Sequence, residues 1–446
     1  MFISVAFLHF FLLDVCTCHP SRILMKFSAS RLLTDESPRR VYKPSSSSSL
    51  HDVVVKGLHY GQRKLLLSEI EFLSAYHEAD SSESPPLVVY AGAANGSHLP
   101  FIFRLFPGVR FVLIDPAPFC AQVRDIAQCS DGPIVELVEG YCTDELCRRL
   151  AHSHSSSYKI LLISDIRSGV PAKLSNKENT AMIMRDNKMQ QSWCWSLGAE
   201  AALLKFHPPY PRCNDPDSAH YDASDDTPNS VEYLDGERLF GVWAPKSSSE
   251  VRLCVRGPFS EDVEPRLRHY DCVVHEEQCY YYNTDGRYAR DCKAEREILN
   301  RYLELFPGVF SGDVVALSSA ISEFLRFPMF RPLDPSFSED DARWVTLLYS
   351  VGDQACLDLF DTLRGHVSLK FLQEQLAKWH TSVSVPEDVT AGSVKLTRDF
   401  WRVICTGSLS EAYGIPPVRC NFAHVFVSRK RRRAISLRAV GLSKER

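Results

Sequence analysis

The sequence predicts an α/β fold: a doubly wound, mostly parallel sheet with a helical region appended behind it. Three observations carry that expectation. Short apolar runs alternate with helical stretches between Gly61 and Val255. Most of those runs end in a turn or a polar residue. Beyond residue 290 the pattern changes to a 3.6-residue period. Alternation of this kind builds a parallel sheet covered by helices on both faces.

The elements follow in order. Residues 26–50 are polar, end in the serine run Ser45 to Ser49, and read as a flexible lead-in. From Gly61, apolar residues at 65, 66, 70, 72 and 73 give an amphipathic helix with one face for the core, broken between Ser81 and Pro86. Leu87 to Tyr90 is a buried strand followed by the glycine turn Ala91 to Gly96. Phe111 to Ile114, Ile134 to Val138, Ile160 to Ile163, Ala199 to Lys205 and Val251 to Val255 are the further strands. Arg212 to Ser230, rich in Asp, Ser, Asn and Pro, is a loop. Ala294 to Leu305 and Val314 to Phe327 are helical, the second stopped by Pro328, and Leu369 to Trp379 extends the helical pattern.

Composition sets bounds. Of the 446 residues, 45% are hydrophobic and 24% charged, as in ordinary globular proteins. A formal net charge of −4 leaves no global nucleic-acid signature, so an RNA site must be a local patch. The 15 cysteines show no paired zinc spacing and read as reduced, mostly buried thiols; no metal site is expected. The apolar run Phe2 to Val15 is too short to span a bilayer and lacks a basic leader, so no membrane partner is expected. Met25 opens a more ordinary polar start, and a misassigned upstream initiation is preferred over a targeting segment. Arg429-Lys-Arg-Arg-Arg433 has the character of a nuclear address, a nucleic-acid patch or a solvated tail.

In doubly wound sheets ligands sit at the carboxyl ends of the strands, near the switch point. Tyr90, Asp115, Asp165 and Lys205 all fall at such ends. Gly92 and Gly96 let backbone approach a ligand, and two glycines without a third suit a nucleoside better than a pyrophosphate. Each segment has an ordinary alternative when taken alone. The turn can be merely tight, and Asp165 with Arg167 a surface ion pair. Lys205 can be a snorkelling strand-end lysine, Tyr210 between its prolines a cap on the sheet, and Glu250 an edge-strand charge.

Taken jointly, the segments occur in one order: Gln62-Arg-Lys64-Leu-Leu-Leu-Ser-Glu, Val88-Val-Tyr-Ala-Gly92, Leu113-Ile-Asp115, Leu162-Ile-Ser-Asp165-Ile-Arg-Ser, Leu204-Lys205 and Ser249-Glu250-Val-Arg-Leu. That order resembles the poxvirus cap-specific 2′-O-methyltransferase family, whose viral member doubles as the poly(A) polymerase small subunit. Glu276 to Asn283 and the helix ending at Pro328 extend the likeness across residues 50–330. Among cellular proteins the chain most resembles the kinetoplastid cap 2′-O-methyltransferases, which modify nucleotides beyond the first.

The resemblance implies a Rossmann-like methyltransferase domain at 51–330, after a disordered or mis-started lead-in at 1–50. A helical extension at 331–428 and a basic tail at 429–446 follow it. It implies S-adenosylmethionine (SAM) as cofactor, and 7-methylguanosine-capped RNA, of mRNA or spliced-leader type, as substrate. Capping or RNA-processing proteins are implied as partners and the nucleus as location. The family's catalytic tetrad falls on Lys64, Asp165, Lys205 and Glu250. Lys205 would be the base acting on a cap-proximal ribose hydroxyl, that of the second nucleotide. Lys64 would be the like charge beside it, with the two carboxylates orienting both amines. The SAM site falls on Gln62, Tyr90, Gly92, Gly96, Asp115, Asp165 and Arg167, with Ala117 standing where the family has an arginine. The cap site falls on Tyr210 and Glu276; Arg212 replaces the family's second guanine-reading acid, and Tyr42 is the candidate for a partner aromatic. The rival expectation is a non-catalytic RNA-binding processivity or assembly factor of the poly(A) polymerase small-subunit type.

Overall fold

The computed structural model describes residues 25–342, apart from 43–59, 81–83, 170–173, 213–226, 245–247 and the single positions 261, 326, 328, 329, 340 and 341. The expected helix at 369–379 and the basic run at 429–433 lie outside the described residues.

In chain order the elements are β1 (Leu32–Leu33), α1 (Tyr60–Ala79), β2 (Pro86–Ala91), α2 (Leu99–Leu105), β3 (Arg110–Asp115), α3 (Ala121–Ala127), β4 (Ile134–Glu139) and α4 (Asp144–His154). They continue with β5 (Lys159–Ser164), α5 (Asn176–Leu197), β6 (Ala201–Phe206), β7 (Ser230–Leu234), β8 (Glu237–Leu239), β9 (Val251–Arg256) and β10 (Leu267–Asp271). The helices α6 (Cys272–Thr284), α7 (Arg287–Leu305) and α8 (Val314–Phe324) close the series. The main sheet has eight strands in the order β1-β8-β9-β6-β5-β2-β3-β4. Strands β4, β3, β2, β5 and β6 are parallel neighbours, while β9 joins β6 antiparallel. This is the Rossmann-like doubly wound fold expected of the sequence, with the order reversing between β2 and β5. A switch there opens a crevice at the carboxyl ends of those two strands. Strands β7 and β10 form a separate antiparallel pair.

The predicted strands all appear, with ends within two residues of expectation. Except in the edge strand β4, their central residues are almost wholly buried, as continuous apolar runs between two helical layers should be. The first helix departs from expectation. It is buried on all sides from Leu65 to Tyr76 rather than along one face, because α7 and the N-terminal segment cover what would have been its polar side. Its inward polar groups are met accordingly. Arg63 pairs with Glu295 and reaches Ser318 and Ser322, while Glu71 pairs with Arg31 at 2.5 Å.

The lead-in expectation is also corrected over the described part of 26–50. Residues 25–42 pack on the domain: Arg31 is fully buried, and Leu32 and Leu33 pair with β8 as a short strand. Nor does the domain stop at 330, since Leu333, Phe337 and Ala342 are buried in the same core. The nine described cysteines are all free, and five of them are buried.

Candidate active site

Three strand ends and one helix bring the expected tetrad together. Apolar residues of β5 up to Ile163 bury that strand, and Asp165 emerges one residue past its end. Lys205 is the penultimate residue of β6, and Glu250 immediately precedes β9, which pairs with β6. Lys64 comes from the first turns of α1. Its stem passes over Gly241, where an added Cβ would lie 2.9 Å from Lys64 Cδ.

The Lys205 Nζ lies 3.2 Å from Asp165 Oδ1 and 3.4 Å from Glu250 Oε2, and Lys64 Nζ donates to Glu250 Oε1 at 2.7 Å. All four side chains are 13–22% exposed, so they are shielded yet reachable.

A fifth member was missed in the sequence. Arg252 stands directly across from Lys205 in the β6–β9 register and donates to Asp165 Oδ1 at 2.6 Å. Two cations placed opposite each other repel, and Asp165 and Glu250 offset this by lying between them. Alternate residues of a strand share a face. The Glu250-Val-Arg252 spacing therefore already placed Arg252 beside Glu250, a signal present in the sequence. Arg167 adds a further cation, 4.0 Å from Glu250 and 3.6 Å from Asp186.

The charges bias the carboxylates strongly. Burial alone would raise Asp165, but Arg252 and Lys205 outweigh it and hold the carboxyl below its ordinary range. Glu250 is held well below the usual carboxylate range; burial opposes this, while Lys64, Lys205 and Arg252 impose it. Both are therefore anions at neutral pH, in a cluster where cations outnumber them.

The expected cofactor residues divide. Gly92 has φ +82°, and a Cβ there would sit 2.9 Å from the Asp165 carbonyl carbon, so only glycine lets the two loops meet this closely. Gly96 is likewise left-handed, at φ +71°. Asp115 accepts from Ala94 N at 3.0 Å and from Ala117 N at 2.8 Å, one hydrogen bond on each carboxylate oxygen. It thereby ties the glycine turn to the end of β3 and keeps lone pairs for a ligand. Gln62 has a buried Oε1 without a hydrogen-bond partner among the described residues, the kind of atom a ligand satisfies. Tyr90 is different. Its side chain is fully buried in the core and donates to Glu69 Oε1 at 2.6 Å, with His98 Nε2 on the same oxygen at 2.9 Å. The Tyr90 ring is therefore part of the core, held by Glu69 rather than presented to a ligand.

Beside the tetrad lies an aromatic and acidic recess. Tyr210 packs its ring 4.4 Å from that of His207. Burial pushes the Tyr210 phenol up; Arg167 opposes the rise, and Glu276, Glu250 and Tyr42 add to it, so these groups share one neighbourhood. Tyr42 also meets Tyr280 edge-on at 5.3 Å. Glu276 sits half-buried on α6, and burial together with Glu277 pushes its carboxyl up to about 7. Arg212, in contrast, is exposed. The structure thus gathers Tyr210, Glu276 and Tyr42 near the catalytic cluster. Sequence reasoning also missed His207 and Ser249, which lie buried between the two.

The groups fit a nucleoside-type methyl donor. A glycine cradle lies at the switch point, with Gly92 against the Asp165 backbone, and an acid at the end of β3 is tied to that cradle through Ala94.

Comparison with known proteins finds relatives of one kind. A cap-specific mRNA (nucleoside-2′-O-)-methyltransferase from Fowlpox virus (strain NVSL) is 26% identical over 232 residues, covering 51% of this chain and 68% of that protein. The protein of the same name from Myxoma virus (strain Lausanne) is 26% identical over 250 residues, covering 54% of this chain and 65% of its own. The match thus spans about two-thirds of each relative's length. The family model described as poly A polymerase regulatory subunit matches residues 47–302, more than half of the sequence, and the chain belongs to that family.

Proposed function

We propose that the protein is a SAM-dependent, cap-specific mRNA 2′-O-ribose methyltransferase acting on 7-methylguanosine-capped RNA. The observation that carries this reading is the Lys64–Glu250–Lys205–Asp165 cluster at the ends of β5, β6 and β9, with the glycine turn on one side and the Tyr210 recess on the other. SAM, when bound, supplies the methyl group from its sulfonium.

The chain's own residues do the rest. Gly92 and Gly96 admit the nucleoside, Asp115 accepts from its ribose hydroxyls, and Gln62 and Arg167 hold its polar end. Lys205 is the general base that takes the proton from the ribose 2′-hydroxyl. Asp165 and Glu250 fix its amine, and Lys64 and Arg252 hold those two carboxylates in turn. Most of the acceleration comes from holding donor, hydroxyl and base together. The cationic 7-methylguanine stacks on Tyr210, with Tyr42 as its second wall, and Glu276 accepts from its N–H groups. The modified ribose is the second cap-proximal nucleotide, as in the kinetoplastid enzymes that the chain resembles, and the protein acts in the nucleus.

The family description favours a second reading, a non-catalytic subunit that binds RNA for a poly(A) polymerase. One assay separates the two. Labelled SAM is supplied with capped and uncapped RNA of the same sequence, and the methylated ribose is mapped. Transfer to capped RNA alone supports the enzyme; binding without transfer supports the subunit. A methyl on an internal ribose, independent of the cap, would overturn the capped-RNA assignment.

A further inference from the structure

A buried link joins the recess to the catalytic carboxylate. His207 and Ser249 are only 5% and 6% exposed, and His275 is fully buried. The His207 ring lies against Tyr210 on one side, and its Nε2 is 2.6 Å from Ser249 Oγ on the other. His207 Nδ1 meets the Pro208 carbonyl, so the neutral ring donates there and accepts the Ser249 hydroxyl at Nε2. Burial keeps the ring neutral, lowering its pKa to about 4. From the opposite side His275 Nε2 donates to the Ser249 carbonyl at 2.8 Å, and Cys279 Sγ approaches the same oxygen at 3.7 Å. Both residues belong to α6, the helix that carries Glu276.

Ser249 is the residue before Glu250, whose carboxylate meets Lys64 and Lys205. Both recess residues are therefore one step from the same peptide: Tyr210 through His207, and Glu276 through its neighbour His275. Polar side chains in a dry interior hold a geometry closely, because each unmade bond is expensive there.

We propose that His207 and Ser249 are positioning residues that make the alignment of Glu250, and through it of Lys205, depend on occupancy of the Tyr210 recess. This rests on the capped-RNA reading above. A ring stacking on Tyr210 presses on His207, and the hydrogen bond passes that constraint to the backbone entering Glu250. RNA lacking the cap leaves the link unconstrained, so the same active site turns over less often.

The test compares His207→Ala, His207→Gln, Ser249→Ala and the double alanine variant on matched capped and uncapped RNA. SAM binding by calorimetry serves as the control for folding. Either alanine variant should lower the capped-to-uncapped ratio of kcat/KM about two- to tenfold, the range for one hydrogen bond, mainly through kcat on capped RNA. The double variant should be no worse than either single one, and His207→Gln, whose amide oxygen can accept the Ser249 hydroxyl, should recover most of the ratio. Equal losses on both RNAs, or effects that multiply in the double variant, would overturn the link. Wild-type protein that binds SAM but transfers nothing to capped RNA would instead overturn the functional reading and take the inference with it.

Discussion

Replacing Lys205 with alanine isolates the proposed base, because the structure limits the collateral damage. Asp165 loses an amine at 3.2 Å but keeps Arg252 at 2.6 Å, and Glu250 loses one at 3.4 Å but keeps Lys64 at 2.7 Å. Neither carboxylate is left as an unpaired buried charge, which is the case that costs several kcal/mol. The stability loss should therefore stay near about 1–2 kcal/mol, as for a partly exposed pair. The glycine turn, Asp115 and Gln62 do not contact this amine, so SAM affinity should change little. Transfer to capped RNA should fall at least about a hundredfold, the lower range for losing a general base. The assay pairs single-turnover methyl transfer with calorimetric SAM binding and a melt. Turnover within about tenfold of wild type, with binding intact, would refute Lys205 as the base. Loss of SAM binding in the same proportion would refute the separation of the two sites.

Three further outcomes follow from the geometry. Arg252→Met removes the nearest partner of Asp165 but leaves it Lys205 at 3.2 Å, so it should destabilise the fold by about 1–2 kcal/mol, read by denaturant melts, while also slowing transfer because Asp165 turns to Lys205 alone. Glu276 has its carboxyl raised to about 7 in the free protein, and only its anion pairs well with a cationic ring. Cap-analogue affinity should therefore rise as pH rises through that value, by about tenfold between pH ~6 and ~8, and Glu276→Gln should flatten the profile. Gly92→Ala forces a Cβ to within 2.9 Å of the Asp165 carbonyl carbon at a φ of +82°; it should cost about 1–3 kcal/mol and weaken SAM binding measurably in a titration.

Much of this was legible because strand ends write themselves plainly. An apolar run that stops at a charged or polar residue fixes both the strand and the direction its last side chain takes, and Asp115, Asp165 and Lys205 were located that way. What escaped was company. Periodicity describes one element at a time, so the first helix read as one-sided until α7 and residues 25–42 were seen to cover it. Tyr90 sits at a strand end like the others, yet its ring turns to Glu69, a partner on another element. The long helix α5 went unassigned although Ser175 and Glu178 form a capping box and Gly198 ends it. Its buried face is mixed: Met182, Ile183, Trp193, Cys194 and Leu197 are apolar, while Asp186, Asn187 and Gln190 between them reach Ser168, His207 and Lys205. Polar residues interrupt the apolar stripe midway, which hides the helical period.

Arg31 has a practical consequence for anyone cutting this chain. Its guanidinium pairs with Glu71 and donates to the Ser68 hydroxyl, which in turn donates to the Lys64 carbonyl, so a segment well upstream braces the turn from which a catalytic amine projects. At the far side Arg63 leans on Ser318 and Ser322 of α8. A fragment trimmed to the matched span of 47–302 would sever both supports at once. Such a fragment should prove insoluble or inert even with every tetrad residue present, whereas one running from Met25 through Ala342 keeps the braces whole.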